Sequence, residues 1–142
     1  MSAPPSDRKQ PASAALVIFA KAPIPGQVKT RLCPGLTEDE AATLHGSFVL
    51  DTLERTKAAV HKFKLPRDRC LACATSSTHV FFRIMEARHG VTLLDQPGDN
   101  LGDRMAQAFS TLFARGYRHV FLVGTDVPSL PLTHYRDAVQ SL

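Results

Sequence analysis

The chain of 142 residues has little of what marks several common classes of protein. No apolar run approaches the ~20 residues that a membrane span requires, so none is expected. The net charge is only +4, it is dispersed, and no basic run carries interleaved aromatics. Nucleic acid is therefore not expected as a partner. Three cysteines, Cys33, Cys70 and Cys73, do not make a disulfide framework. Cys70 and Cys73 have C-x-x-C spacing, but no second pair and no close pair of histidines completes a zinc site. They fall in a stretch that reads as a strand, where residues three apart face opposite sides. Both are read as small buried residues.

The common phosphate and nucleophile motifs are absent as well. A P-loop needs a glycine directly before its lysine; in Gly26-Gln-Val-Lys-Thr30 that place is held by Val28. No G-x-G-x-x-G follows the first apolar run, so there is no dinucleotide fingerprint. There is no G-x-S-x-G elbow. The six histidines show no ligand spacing. Neither an internal repeat nor an interdomain linker interrupts the chain.

What is present reads as a single globular domain, with 44% hydrophobic and 21% charged residues. Residues 1–13 are rich in Pro, Ser and Ala and lack the apolar core of a secretory signal. They are read as a disordered lead-in to a domain over 14–142, and a cytoplasmic location is expected.

The stretch Lys21-Ala-Pro-Ile-Pro-Gly-Gln-Val-Lys-Thr-Arg31 organises the rest. It follows Ala15–Ala20, a continuously apolar run that reads as a buried strand. Two prolines and a glycine stiffen the turn, and Lys21, Lys29 and Arg31 sit on it. Such a loop suits an anionic ligand, most simply a phosphate or diphosphate. On residue types alone it also fits a solvated basic loop.

Downstream, Thr37 with Glu40 predicts a capping box opening a helix. Leu44, Phe48, Val49, Leu53 and Val60 give its stripe, ending near Pro66. The acids at 38 to 40 complement the positive helix end, so an anion is expected on the loop's side chains and amides instead. A second strand spans Arg69–Ala74, a short helix runs from Val80 to Arg88 and ends at Gly90, and a third strand covers Val91–Asp95. The turn-rich Gln96–Gly102 feeds a helix with Leu101, Met105, Ala108, Phe109, Leu112 and Phe113 on one face, stopping at Gly116. His119–Val123 is a fourth strand. Thr133 then caps a last helix with Leu132, Tyr135, Val139 and Leu142 on its stripe.

Strands alternating with helices predict an α/β domain with a parallel sheet. Right-handed crossovers give the order 3-2-1-4. Strands 1 and 4 are then neighbours at the switch point, where ligands bind beyond the carboxyl ends. This brings Asp126 beside the cationic loop. A strand-end carboxylate there can offer oxygen to Mg²⁺ or Mn²⁺ bridging a diphosphate; a turn aspartate bonding its own loop is the plainer alternative, and the neighbouring cations favour the metal. Asp99, Asp103 and Arg104 are explained almost as well by a turn, a helix's first turn and a solvated helix charge.

Three stretches carry a resemblance: Phe19–Leu32, Gly98–Met105 and Gly124–Leu130. Together they resemble the glycosyltransferase-like family related to phospholactate guanylyltransferase, the selenodomain-associated transferases, over nearly the whole chain after residue 14. The resemblance implies a Rossmann-like α/β/α sandwich of the nucleotide-diphospho-sugar transferase (GT-A) type. Carried over by position, Lys21, Gly26, Lys29, Thr30 and Arg31 meet nucleotide phosphates. Gly98, Asp99 and Arg104 lie near nucleotide or acceptor, and Asp126 holds the divalent metal. Family members usually have Cys where this chain has Val127. They also continue with further strands and a second glycine- and acid-bearing motif, so the chain reads as a C-terminally incomplete form of the fold. The implied activity is metal-assisted transfer from a nucleotide-activated donor to a small-molecule acceptor, as a glycosyltransferase. The alternatives are a nucleotidyltransferase of the guanylyltransferase type, or a truncated module that binds a nucleotide without turnover.

Overall fold

The computed structural model describes residues 14–33, 35–63, 68–74, 76–125 and 137. The expected lead-in, most of the loop after Gly124 including Asp126, and the Thr133-capped helix lie outside them. Among the described residues there are four strands, β1 (Ala14–Lys21), β2 (Asp68–Ala74), β3 (Thr92–Asp95) and β4 (His119–Val123). They form one parallel sheet in the order β3-β2-β1-β4, as the crossover rule requires. The intervening helices are α1 (Glu38–Phe63), α2 (Val80–His89) and α3 (Leu101–Ala114).

Alternation along β1 and β2 builds two cores. Ile18, Ala20, Leu71 and Cys73 face Val49 and Leu53 of α1 and Phe82 and Met85 of α2. Ala15, Val17, Cys70 and Ala72 face the other way, onto Leu112 of α3. Cys70 and Cys73 thus lie in opposite layers, as their spacing on a strand requires. Burial raises the Cys70 thiol to about 11 and the Cys73 thiol to about 12.

The N-terminus of α1 carries the predicted capping box: Glu40 N–H donates to Thr37 Oγ1 at 3.0 Å, and Thr37 N–H to Glu40 Oε1 at 2.8 Å. The buried face of α1 differs from the predicted stripe. It runs through Ala41, Ala42, His45, Val49, Thr52, Leu53, Thr56 and Ala59, while Leu44, Phe48 and Val60 are half-buried. Polar residues fit there because their groups are satisfied. Thr52 and Thr56 donate to the carbonyls one turn back at 2.9 and 2.8 Å. The short helix α2 begins with a cap the turn residues did not announce, since His79 Nδ1 accepts from Phe81 N–H at 3.1 Å. It stops at Gly90. The α3 face is also less buried than its period implies. Ala108 and Leu112 are buried, whereas Leu101 is 62% and Phe113 50% exposed.

A buried arginine links these layers. Arg69, 6% exposed, donates through Nη1 to Leu53 O (2.8 Å) and Thr56 Oγ1 (3.1 Å), and through Nη2 to His89 O (2.6 Å). One guanidinium therefore ties β2 to α1 and to the C-terminal carbonyl of α2, where a cation also complements the helix dipole. Burial lowers its pKa from the ordinary arginine value. At the same end of the sheet, Tyr117 donates its hydroxyl to Asp68 Oδ2 at 2.6 Å. Burial and that bond raise its pKa. Among the described residues no helix is long and apolar enough to cross a membrane.

Two outcomes are expected. Arg69→Met removes the guanidinium and strands buried carbonyls, so urea unfolding should lose about 2–3 kcal/mol; a loss under about 0.5 kcal/mol contradicts the linking role. With thiols raised to about 11 and 12, Cys70 and Cys73 stay protonated at pH 8. Iodoacetamide should then modify half-exposed Cys33 in the native protein and all three cysteines in denaturant, read by mass spectrometry.

Candidate functional site

The strand order sends the chain from β1 to one side and returns it at β4 on the other. At that divergence, beyond the carboxyl ends of the strands, lies an open cleft of about 1060 Å³, the place where open α/β sheets bind ligands.

Its floor is the end of β1, Phe19, Ala20 and Lys21. Gln27 to Leu32 form one rim, and Leu44, His45 and Phe48 of α1 stand behind that rim. Leu101, Arg104 and Met105 of α3, with Leu122, Gly124 and Thr125 at the end of β4, make the other side.

The rim loop is rigid for reasons its sequence supplies. Ile24 N–H donates to Ala22 O at 2.8 Å, a tight turn about Pro23. Gln27 N–H then donates to Ile24 O at 3.0 Å. With Pro25 and Gly26 at its centre and Gly26 at φ 82°, this is a type II turn. A Cβ on Gly26 would meet only the flexible end of Glu38, 3.1 Å from Oε2, so the positive φ is what favours glycine there. Thr30–Leu32 then form a short 3-10 helix preceded by Lys29 in the left-handed region, φ 54° and ψ 32°.

Of the residues expected at the site, Lys21, Lys29, Thr30, Arg31 and Arg104 line the cleft together. Gly26, Gly98 and Asp99 lie on the adjoining loops, outside its lining. Gly98 acts through Arg104: its carbonyl accepts from Arg104 Nε at 3.3 Å. Its φ is 141°, and a Cβ there would stand 2.9 Å from Arg104 N and from Asp103 Cβ. Arg104 thus carries a bond to the Gly98 carbonyl where it lines the cleft. Asn100 caps α3 by accepting from Asp103 N–H at 2.9 Å. Asp126 lies outside the described residues.

Three lining residues carry no motif and were not anticipated. His45, 5% exposed, places Nε2 2.8 Å from Lys21 O and Nδ1 3.3 Å from Lys29 Nζ. Phe48 sets its ring 5.3 Å from the same ammonium, a cation–π distance. Gln96 donates from Nε2 to Ala72 O at 2.7 Å and, more weakly, to Ala20 O at 3.4 Å, clamping the ends of β1 and β2. A polar residue amid the buried positions of α1 is the one sequence signal that marks His45.

The cleft is therefore electropositive. Lys21, Lys29, Arg31 and Arg104 converge on it, and the described lining residues include no carboxylate. Among the described residues no group of three or more His, Cys, Asp or Glu could hold a metal ion. This donor set suits an anion of several charges, and a divalent metal would depend on Asp126.

The structure is similar to a crystal structure from Desulfovibrio desulfuricans G20 provisionally named a nucleotide-diphospho-sugar transferase. The TM-score is 0.78 at 29% sequence identity, and the match covers 92% of this chain and 54% of that one. The chain thus spans about half the length of that protein. Its four-stranded parallel sheet and flanking helices are of the nucleotide-diphospho-sugar transferase, GT-A-like type. No curated protein matches the chain. A family model does match, over residues 56–142, and the chain belongs to that family, DUF2064, described as uncharacterized proteins conserved in bacteria.

Proposed function

We propose that this chain binds the nucleotide-activated donor of a glycosyltransferase-like enzyme. The observation that carries the reading is the convergence of Lys21, Lys29, Arg31 and Arg104 on one cleft at the switch point of the sheet. A diphosphate there receives charge-assisted hydrogen bonds from side chains on a stiff loop, which lowers the entropic cost of holding it. As the donor bond breaks, negative charge grows on the leaving diphosphate. Lys29, already held between His45 and Phe48, stabilises part of that charge with little reorganisation. Leu101, Met105 and Leu122 supply an apolar wall for the uncharged part of the donor. Thr37 and Asn100 each take one first-turn amide of α1 and α3, and the acids at 38 to 40 oppose an anion at the start of α1. The loop side chains and amides are thus the anion's partners.

A Mg²⁺ or Mn²⁺ ion held by Asp126 belongs to this proposal; when bound it would neutralise part of the diphosphate charge. The fold relationship to a provisionally named nucleotide-diphospho-sugar transferase supports the donor class. Kinship with the guanylyltransferases, the acceptor and a cytoplasmic setting are parts of the same proposal.

Calorimetric titration of UDP-sugars, GTP and CTP, with and without Mn²⁺, tests it. Arg31→Ala should weaken binding about tenfold, and Asp126→Ala should abolish the metal-dependent part. Preference for GTP over UDP-sugars moves the assignment to nucleotidyl transfer. No binding of any nucleotide overturns the reading. In the same titration Gly98→Ala, which forces a Cβ onto the backbone of Arg104, should weaken binding by a comparable factor while costing about 1–3 kcal/mol of stability.

A further inference from the structure

Lys29 holds an unusual backbone for a residue with a side chain, φ 54° and ψ 32°. Left-handed geometry is sparsely populated by non-glycine residues and persists where surrounding contacts hold it. The Lys29 ammonium group contacts α1 at His45 and Phe48. An ammonium group donates hydrogen bonds and accepts none. The 3.3 Å contact between Lys29 Nζ and His45 Nδ1 therefore requires Nδ1 to be the acceptor. The ring is then neutral, with its hydrogen on Nε2, and Nε2–H donates to Lys21 O at 2.8 Å. Lys21 is the last residue of β1, so this carbonyl is anchored by the sheet. His45 and Phe48 are three residues apart in α1 and share a face. Together they flank the ammonium, one with a lone pair and one with a ring face.

We propose that His45 is a positioning residue of the cleft: as the Nε2–H tautomer it ties the Lys29 ammonium to the end of β1, presetting that cation for a bound diphosphate. This rests on the phosphate-binding reading of the cleft. A histidine that only tethers α1 to the end of β1 needs its hydrogen on Nε2 but no coupling to Lys29. The positioning role demands both.

Two measurements test it. Nitrogen-15 NMR of the ligand-free protein should show His45 neutral with its hydrogen on Nε2, and the Nδ1 resonance should move in Lys29→Ala. An imidazolium, or hydrogen on Nδ1, overturns the proposal whatever the cleft binds. Pyrophosphate is then titrated, with and without Mg²⁺, into wild type, His45→Phe, His45→Gln, Lys29→Ala and the His45→Phe/Lys29→Ala double variant. His45→Phe should weaken binding about tenfold and His45→Gln, which keeps a donor and an acceptor, by no more than about threefold. In the Lys29→Ala background His45→Phe should add almost nothing, because the two act through one contact. Independent, additive losses overturn the positioning role while leaving the phosphate reading intact. Failure of wild type to bind pyrophosphate under either condition overturns both, and the tautomer measurement then distinguishes a purely structural tether.

Discussion

The central position of β1 is the constraint on which the rest depends. It pairs with β2 on one edge and β4 on the other, and helices cover both its faces. Such a strand must be apolar throughout, and Ala14 to Ala20 contains no polar side chain. Its carboxyl end is also the point where the chain turns toward α1 while β4 arrives from the opposite layer. The cleft follows from that divergence. A cationic loop in that position faces a ligand space by topology, before any detail of its side chains is considered.

Rigidity is the second theme. Successive turns about Pro23 and through Pro25-Gly26 leave the rim with little backbone freedom. Gln96 and His45 then brace it from beneath, both through backbone carbonyls at strand ends. Away from the cleft, Arg69 performs the analogous task at the opposite end of the sheet, joining α1, α2 and β2. A sheet braced at both ends can present charged groups with small positional spread, and preorganisation of that kind lowers the ordering cost of binding.

Much of the cleft's rim was legible because its signals are local. Lys21, Lys29, Thr30 and Arg31 share one segment whose prolines and glycine declare a turn, and the structure sets all four along the cleft. Arg104 was harder to read. Its guanidinium bonds the carbonyl of Gly98, six residues earlier, where φ is 141°. The predicted α1 stripe runs through apolar residues alone and so omits the buried Thr52 and Thr56. Back-bonded to the helix, they behave as buried volume.

By itself the sequence determined the elements and their order. Hydrophobic period, capping residues and turn chemistry act over a few residues, and the handedness of crossovers then leaves few arrangements of four strands, the expected one among them being observed. The family-like motifs likewise pointed to the GT-A-like fold that the structure displays. Tertiary structure alone decided how the cations are held. His45 meets Lys29 across 16 residues and Lys21 across 24, and Gln96 reaches Ala20 across 76. Contacts of that range have no local pattern, because they exist only after helix and sheet have packed.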